Sequence, residues 1–344
     1  MNKLKKVGLS ALAGSLAAFS AQAGELAVTG SAEVTYHNDQ ATADTTGNPF
    51  GLKKAYALTG SGELDNGWAF TVMMNSLQSN AGYTSAYLKM DMGDLGTIAF
   101  DQGSGQGHVG GIDDVTPTAG EEVWHGLGGT TTPFKGAGST GSTNAWNYKL
   151  PTMVDGLAVN VNYVNQTGGG KSSADANTGA STDMTGSGTD IIFSYSGDLV
   201  PGLTIGGGMG DVDSSTSAQG DKEDWVLYAK YAIGNLTVGY SQFESRYTSS
   251  GNTGHDGNVW GVSYAINDNI SVSYGESETD FLASGYTDDA INGDKHVKQT
   301  TEGMNISYTM GGMSIRATNT DGSNMDGTSG SSDELTEVSV SLAF

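Results

Sequence analysis

The sequence predicts an all-β protein in which sixteen antiparallel strands close into a transmembrane barrel. Three observations lead to this fold. The chain begins with a basic and then apolar segment that is typical of exported proteins. Sixteen later segments alternate apolar and polar residues with the period of two that marks a strand. The links between these segments alternate between short and long, as they do in a barrel with tight turns at one rim and large loops at the other.

The composition excludes several other classes of protein. The 344 residues include 53 Gly and no Cys, with 38 acidic against 15 basic side chains and a net charge of -23. Beyond the N-terminus no stretch approaches the roughly 18 apolar residues of a membrane helix, so a helical membrane protein is excluded. With so few basic residues, no nucleic-acid partner is expected. The absence of Cys rules out disulfides and thiolate sites.

The N-terminal segment predicts a signal peptide over residues 1–23. Lys3, Lys5 and Lys6 form its basic start, an apolar stretch follows, and Ala21 to Ala23 supply a small-x-small cleavage pattern. Cleavage after Ala23 leaves a barrel domain over residues 24–344. That domain keeps 12 basic and all 38 acidic residues, so its net charge is -26.

The first and last strands show the alternation most clearly. One face of the first segment carries Leu26, Val28, Ala32, Val34 and Tyr36, and one face of the last carries Val338, Val340, Leu342 and Phe344. Most segments are close to the roughly 9–11 residues that cross a bilayer as a tilted strand. The other candidates lie near 53–64, 68–76, 83–91, 96–102, 144–150, 157–166, 188–196, 203–212, 222–232, 236–246, 257–266, 270–279, 298–309 and 313–321.

The links predict which strand ends share a rim. The long links are rich in Gly, Ser, Thr, Asn and Asp, and one link on that side, 77–82, is short. The short links are 65–67, 92–95, 151–156, 197–202, 234–235, 267–269 and 310–312. The long links are 37–52, 103–143, 167–187, 213–221, 247–256, 280–297 and 322–333.

The apolar face of each strand is expected to contact lipid. Trp68, Phe70 and Val72 share a face, as do Trp146 and Tyr148, while the opposite faces carry small and polar residues. A closed barrel satisfies every backbone N–H and C=O in lipid. Sixteen strands also leave an aqueous lumen instead of a packed core.

Five basic residues occupy the opposite, lumenal face of their strands. A charge on the lipid face near the bilayer midplane would cost about 2–4 kcal/mol, so their common phase supports the barrel. We predict that they form a basic pore wall: Lys53, Lys89, Lys149, Lys230 and Arg316.

The alternating final strand ends in Phe344, and the chain resembles the Gram-negative general diffusion porins in this strand, in its signal peptide and in its sixteen segments. The resemblance implies an outer-membrane homotrimer whose water-filled channels admit small hydrophilic solutes and ions by passive diffusion. It also implies that Val340, Leu342 and Phe344 form the signal read by the barrel assembly machinery.

The same resemblance implies that the third link on the rim of long loops, 103–143, folds into the pore and opposes the basic wall. Its acidic residues are the predicted constriction residues Asp113, Asp114, Glu121 and Glu122, with Asp101 just before them. The net charge of -26 should enrich cations at the mouth, so a mild cation preference is expected.

No catalytic site or cofactor is predicted. All five histidines fall in predicted loops without metal spacing. Two alternatives stay open, namely a substrate-specific outer-membrane channel and a secreted acidic β-rich adhesin or surface protein. Loop carboxylates that could bind calcium are Asp211, Asp213, Asp288, Asp289 and Asp294.

Overall fold

A computed structural model describes ten stretches of the chain. The predicted signal peptide, apart from Ala23, and several loop positions lie outside them. The described residues are 23–39, 48–77, 84–104, 107–112, 115–128, 143–165, 186–213, 221–247, 254–281 and 297–344.

Sixteen antiparallel strands form one closed barrel, as the sequence predicted. Each strand pairs with the strands that precede and follow it in the chain, and β1 pairs with β16 to close the barrel. The strands are β1 (Ala23–Asp39), β2 (Phe50–Glu63), β3 (Ala69–Leu77), β4 (Ser85–Asp91), β5 (Thr97–Gln102), β6 (Thr143–Lys149), β7 (Leu157–Val164), β8 (Gly188–Tyr195), β9 (Leu203–Val212), β10 (Lys222–Ile233), β11 (Leu236–Tyr247), β12 (His255–Ala265), β13 (Ile270–Phe281), β14 (Gln299–Met310), β15 (Met313–Ser323) and β16 (Ser332–Ala343).

The C-terminal residue closes the seam between β16 and β1. Phe344 donates its backbone N–H to the carbonyl of Gly30 at 2.9 Å, and Gly30 donates to the carbonyl of Phe344 at 3.0 Å. The Phe344 ring lies over Gly30, where a Cβ atom would sit 2.5 Å from the ring carbon Cζ. The last apolar side chain is therefore built into the joint that completes the barrel.

The short links form tight turns at one rim. In the turn between β2 and β3, Leu64 donates its N–H to the Trp68 carbonyl at 2.8 Å, and Trp68 donates to the Asn66 side chain at 3.2 Å. Gly67 has a φ of 83°, a left-handed conformation that favours glycine. The short links that were identified in the sequence thus form the turns of this rim.

The two faces of the wall differ in chemistry as predicted. Large apolar side chains point outward on every part of the wall, as shown by Leu26 at 70% exposure, Met304 at 61% and Leu342 at 55%. The inner face carries mainly Ser, Thr, Asn and charged residues, and many of these side chains are buried. Among the described residues, no helix is both long and apolar enough to span a membrane.

The expectation that every histidine lies in a loop was wrong for two of them. His37 lies in β1 and His255 begins β12, because both strands extend beyond the apolar stretch that marked them in the sequence. Ring packing accompanies the extension of β12, since His255 lies between Phe243 and Phe281 with centroid distances of 6.2 and 6.5 Å.

Candidate functional site: a loop segment fixed inside the barrel

The loop between β5 and β6 enters the barrel and follows its inner wall. We call its described part, residues 107–112 and 115–128, the inner segment. Near its start the Val109 N–H donates to Oδ2 of Asp190 on β8 at 2.9 Å. At its end the Gly128 N–H donates to Oδ2 of Asp333 on β16 at 2.6 Å. The inner segment therefore spans the wall from β8 to β16.

Apolar contacts hold the inner segment against the strands. Val109, in a short 3-10 helix over Val109–Ile112, is fully buried, and Val123 and Trp124 are almost so. They belong to one cluster with four wall residues from β8, β10, β11 and β12, which are Ile192, Val226, Phe243 and Val259.

Neutral hydrogen bonds fix the middle of the inner segment to β13 and β14. Ala119 donates its N–H to Oγ of Ser273 at 2.8 Å. Asn305 makes a reciprocal pair with Glu121, accepting its backbone N–H at 3.0 Å and donating to its carbonyl at 3.0 Å. These bonds pair polar groups of the inner segment with polar groups of the wall, and each contributes about 0.5–1.5 kcal/mol to holding the segment in place.

A charged network ties the inner segment to the seam of the barrel. The Arg316 guanidinium on β15 contacts Oε1 of Glu121 through Nη1 at 2.5 Å and Oε1 of Glu33 through Nη2 at 2.6 Å. Glu33 lies on β1 and its side chain is only 10% exposed. Arg316 thereby joins the loop to the first strand by two charge-assisted hydrogen bonds.

His125 adds a second link beside this network. Its Nε2 lies 3.3 Å from Oε2 of Glu337 and its Nδ1 lies 3.5 Å from Oε2 of Glu121. Burial by itself lowers the pKa of His125, but Glu337, Glu121 and Glu122 outweigh it and raise the pKa above its usual value. His37 approaches the same Glu337 oxygen at 2.6 Å. Protonated His125 can donate to Glu337 and form an ion pair with Glu121.

His108, at the start of the inner segment, has a pKa that is shifted in the opposite direction from that of His125. Burial lowers the pKa of His108, against the raising effect of Asp190 and Asp101. Its Nδ1 is buried without a hydrogen-bond partner among the described residues. The pKa values of the two loop histidines, His108 and His125, are therefore shifted in opposite directions.

Two groups of side chains bring potential metal ligands together. Glu121, Glu122 and His125 form one, and Glu33, Glu121 and Glu337 form the other. Arg316 already contacts two carboxylates of the second group, so a guanidinium provides positive charge there. Of the predicted calcium carboxylates, Asp211 lies on β9 and Asp213 follows it, while 288, 289 and 294 lie outside the described residues. Calcium binding stays a prediction.

Comparison with known proteins identifies the family. The sequence matches the family model for Gram-negative porins over residues 8–312. The chain belongs to this porin family. A comparison with curated proteins finds no match.

Solved porins share the fold of this porin at low sequence identity. It is similar to a porin refined at 1.8 Å resolution, with 16% identity, a TM-score of 0.64, and coverage of 93% of this chain and 100% of that one. OmpT of Vibrio cholerae is 12% identical with a TM-score of 0.65, and the match covers 93% of this chain and 97% of OmpT. OmpF of Salmonella typhi is 13% identical with a TM-score of 0.60, and the match covers 93% of this chain and 97% of OmpF. The family places the protein in the outer membrane, where it forms a channel.

The predicted acidic constriction residues of this porin occupy different environments. Asp101 is fully buried and accepts hydrogen bonds from the backbone and hydroxyl of Ser104 at 2.8 and 2.6 Å. Glu121 is held by Arg316, and Glu122 is half-buried on the inner segment. The remaining two, 113 and 114, lie outside the described residues. A direct role of these acids in selectivity stays a prediction.

Of the five predicted basic wall residues, only Arg316 reaches the inner segment within the described structure. Lys53, Lys89, Lys149 and Lys230 lie on β2, β4, β6 and β10. None of these four makes an ion pair with another described residue. Lys89 instead places its Nζ 5.6 Å from the ring centre of Tyr87, a cation–π contact.

Sequence reasoning missed the wall residues that anchor the inner segment. Val226, Phe243 and Val259 are apolar but sit on the lumenal face, out of phase with the lipid-facing residues beside them. Apolar residues at lumenal positions of three successive strands could have indicated this contact from the sequence. The anchoring roles of Ser273 and Asn305 had no such signal, because Ser and Asn are ordinary lumenal residues.

Proposed function

We propose that this porin is a general diffusion channel for small hydrophilic solutes and ions. The observation that carries the proposal is the attachment of the inner segment along the wall from β8 to β16. A loop held by apolar packing, neutral hydrogen bonds and an arginine narrows the lumen without acting as a moving lid. The polar inner wall supports passage of hydrated solutes.

We further propose a mild cation preference that arises at the mouth. The net charge of -26 after cleavage creates a negative potential that concentrates cations. The four lumenal lysines act in the opposite direction inside the pore. The preference should therefore be modest, and it should weaken as salt shortens the Debye length below about 10 Å, its value near 0.1 M.

Export and assembly complete the proposal. Residues 1–23 direct export, and the strand ending in Phe344 is the substrate of the barrel assembly machinery. Homotrimers would form through apolar outer walls such as that of β1 and β2, where Leu26 is 70% and Leu52 is 62% exposed. The link at 77–82 is short, so we expect these walls, and not a loop that reaches over the neighbouring subunit, to supply the contact.

Liposome swelling with uncharged sugars of graded size tests the function. We expect rapid entry of monosaccharides, a steady decline with size and no saturation with sugar concentration. Saturable uptake of one sugar would favour the substrate-specific alternative, and no entry of any sugar would refute the proposal. Reversal potentials in a salt gradient measure the selectivity, and clear anion preference would contradict its cation part.

A further inference from the structure

Four glycines form a continuous row across the inner wall beneath the inner segment. Gly239 on β11 is directly opposite Gly261 on β12, Gly261 is opposite Gly275 on β13, and Gly275 is opposite Gly303 on β14. We call these four residues the glycine row. Glycine weakens strands, so a row of this length carries a cost in stability unless a close approach requires it.

Side chains flank the glycine row on both sides. One neighbouring lumenal row contains Val259, Ser277 and Thr301, which are all at most 2% exposed. The other contains Ser273 and Asn305, which hold the inner segment by hydrogen bonds. The glycine row is therefore the floor of a groove one residue wide.

The inner segment lies in this groove. A Cβ atom at Gly261 would lie 2.9 Å from the carbonyl oxygen of Pro117, and one at Gly303 would lie 2.7 Å from Cα of Val123. A Cβ atom at Gly239 would overlap the Pro117 ring. Ordinary Cβ contacts begin near 3.4 Å, so alanine at any of these positions requires the segment to move.

We propose that the glycine row sets the size limit of the pore by fixing how deeply the inner segment lies in the wall. This inference rests on the proposed diffusion function and assigns size-determining positions to the wall instead of to the loop alone. The wall leaves no space behind the segment at the glycine row, so added methyl groups displace the segment toward the lumen. The pore narrows as a result.

Gly239→Ala is the sharpest test. Apart from Pro117, the nearest atom to the added methyl group would be the Ala229 carbonyl oxygen at 3.6 Å, an ordinary contact. The barrel itself therefore accepts the change. We expect lower single-channel conductance and a smaller sugar exclusion limit than in the wild-type porin. Gly261→Ala and Gly303→Ala should act in the same direction, and the triple variant should lose the most conductance.

Two controls isolate the cause. Gly60 lies on β2, and no described atom lies within 4 Å of the position that an added methyl group would take, so Gly60→Ala should conduct as the wild type does. Pro117→Ala removes the ring that the new methyl group meets at Gly239. Adding Gly239→Ala to Pro117→Ala should therefore reduce conductance less than adding it to the wild type. This non-additivity would show that the two positions are coupled, as residues in contact are.

The outcomes separate the inference from the function on which it rests. If the wild-type protein conducts and folded Gly239→Ala conducts equally well or better, the glycine row does not set the pore size. If wild-type protein forms no channel, the proposed function itself fails. Heat-modifiable migration on a detergent gel establishes that each variant is folded before its conductance is compared.

Discussion

The guanidinium of Arg316 on β15 contacts the carboxylate of Glu121 on the inner segment, with Nη1 and Oε1 only 2.5 Å apart. The same guanidinium contacts Glu33 on β1. A single side chain thus joins a loop, the fifteenth strand and the first strand. The Arg316–Glu33 contact joins β15 to β1 across β16, so it depends on the pairing of β1 with β16 that closes the barrel.

Replacing Arg316 with Met should loosen the inner segment. Glu33 and Glu121 would lose their shared partner, and a hydrogen bond to a charged group contributes about 1.5–3 kcal/mol. We expect a folded barrel with increased open-channel current noise in planar bilayers. Lys230 does not contact the inner segment in the described structure. Lys230→Met removes the same charge, so its current noise should stay at the wild-type level. Equal noise in both variants would contradict a specific role for Arg316.

Attachment of the inner segment should weaken at alkaline pH through His125. The carboxylates raise the pKa of His125 in the folded protein. Its contribution is therefore complete below the ordinary histidine pKa of about 6.5 and is lost as pH rises through the raised value. Around this ring lie Glu121, Glu122, Glu337, Arg316 and His37.

Current noise recorded across this pH range measures the effect. His125→Gln should be noisy at every pH and should remove the pH dependence. His108→Gln is the matched control, because burial lowers the pKa of His108 and keeps it neutral over the same range. If the pH dependence persists in His125→Gln, another group is responsible.

Lumenal lysines should restrain the cation preference. Lys53 and Lys54 are adjacent on β2 and point to opposite faces: Lys53 is opposite Glu33 on the lumenal side, and Lys54 shares the outward phase of Leu52. Lys53→Ala should shift the reversal potential toward stronger cation preference, whereas Lys54→Ala should leave it unchanged. Shifts of the same size in both would show that location in the lumen does not matter.

Removing Phe344 should impair assembly of the barrel. The deletion removes both backbone hydrogen bonds with Gly30 and the ring that covers it. We expect a smaller heat-modifiable fraction in outer-membrane preparations, while any channels that do form keep wild-type conductance. Phe344→Tyr retains the ring and the backbone, so it should assemble nearly normally. Equal assembly of the deletion and wild type would show that Phe344 has no part in closing the barrel.

The barrel could be predicted from the sequence because lipid contact imposes a period of two on every strand. The strands near Leu26, Trp146 and Val340 carry that pattern without help from distant residues. The path of the inner segment depends on contacts that no local pattern encodes, such as the contact of Glu121 with Arg316. Asp101 is another example. Its place in the sequence suggested that it lines the pore, but in the structure its carboxylate is bound by the hydroxyl of Ser104.

The glycine row could not be found from the sequence without the strand register. Gly239, Gly261, Gly275 and Gly303 do not stand out among 53 glycines until strand pairing places them side by side. Pairing depends on the lengths of turns and loops around the barrel. The sequence therefore gives the number of glycines, but only the strand register shows which of them face the inner segment.

Single-channel conductance measured as a function of salt concentration tests the central claim most directly. A water-filled pore with a fixed inner segment should conduct in proportion to the conductivity of the bathing solution up to molar salt, with departures confined to dilute salt where the fixed charges are least screened. Conductance that saturates at high salt would indicate an ion-binding site or a gated path, and it would contradict a general diffusion channel.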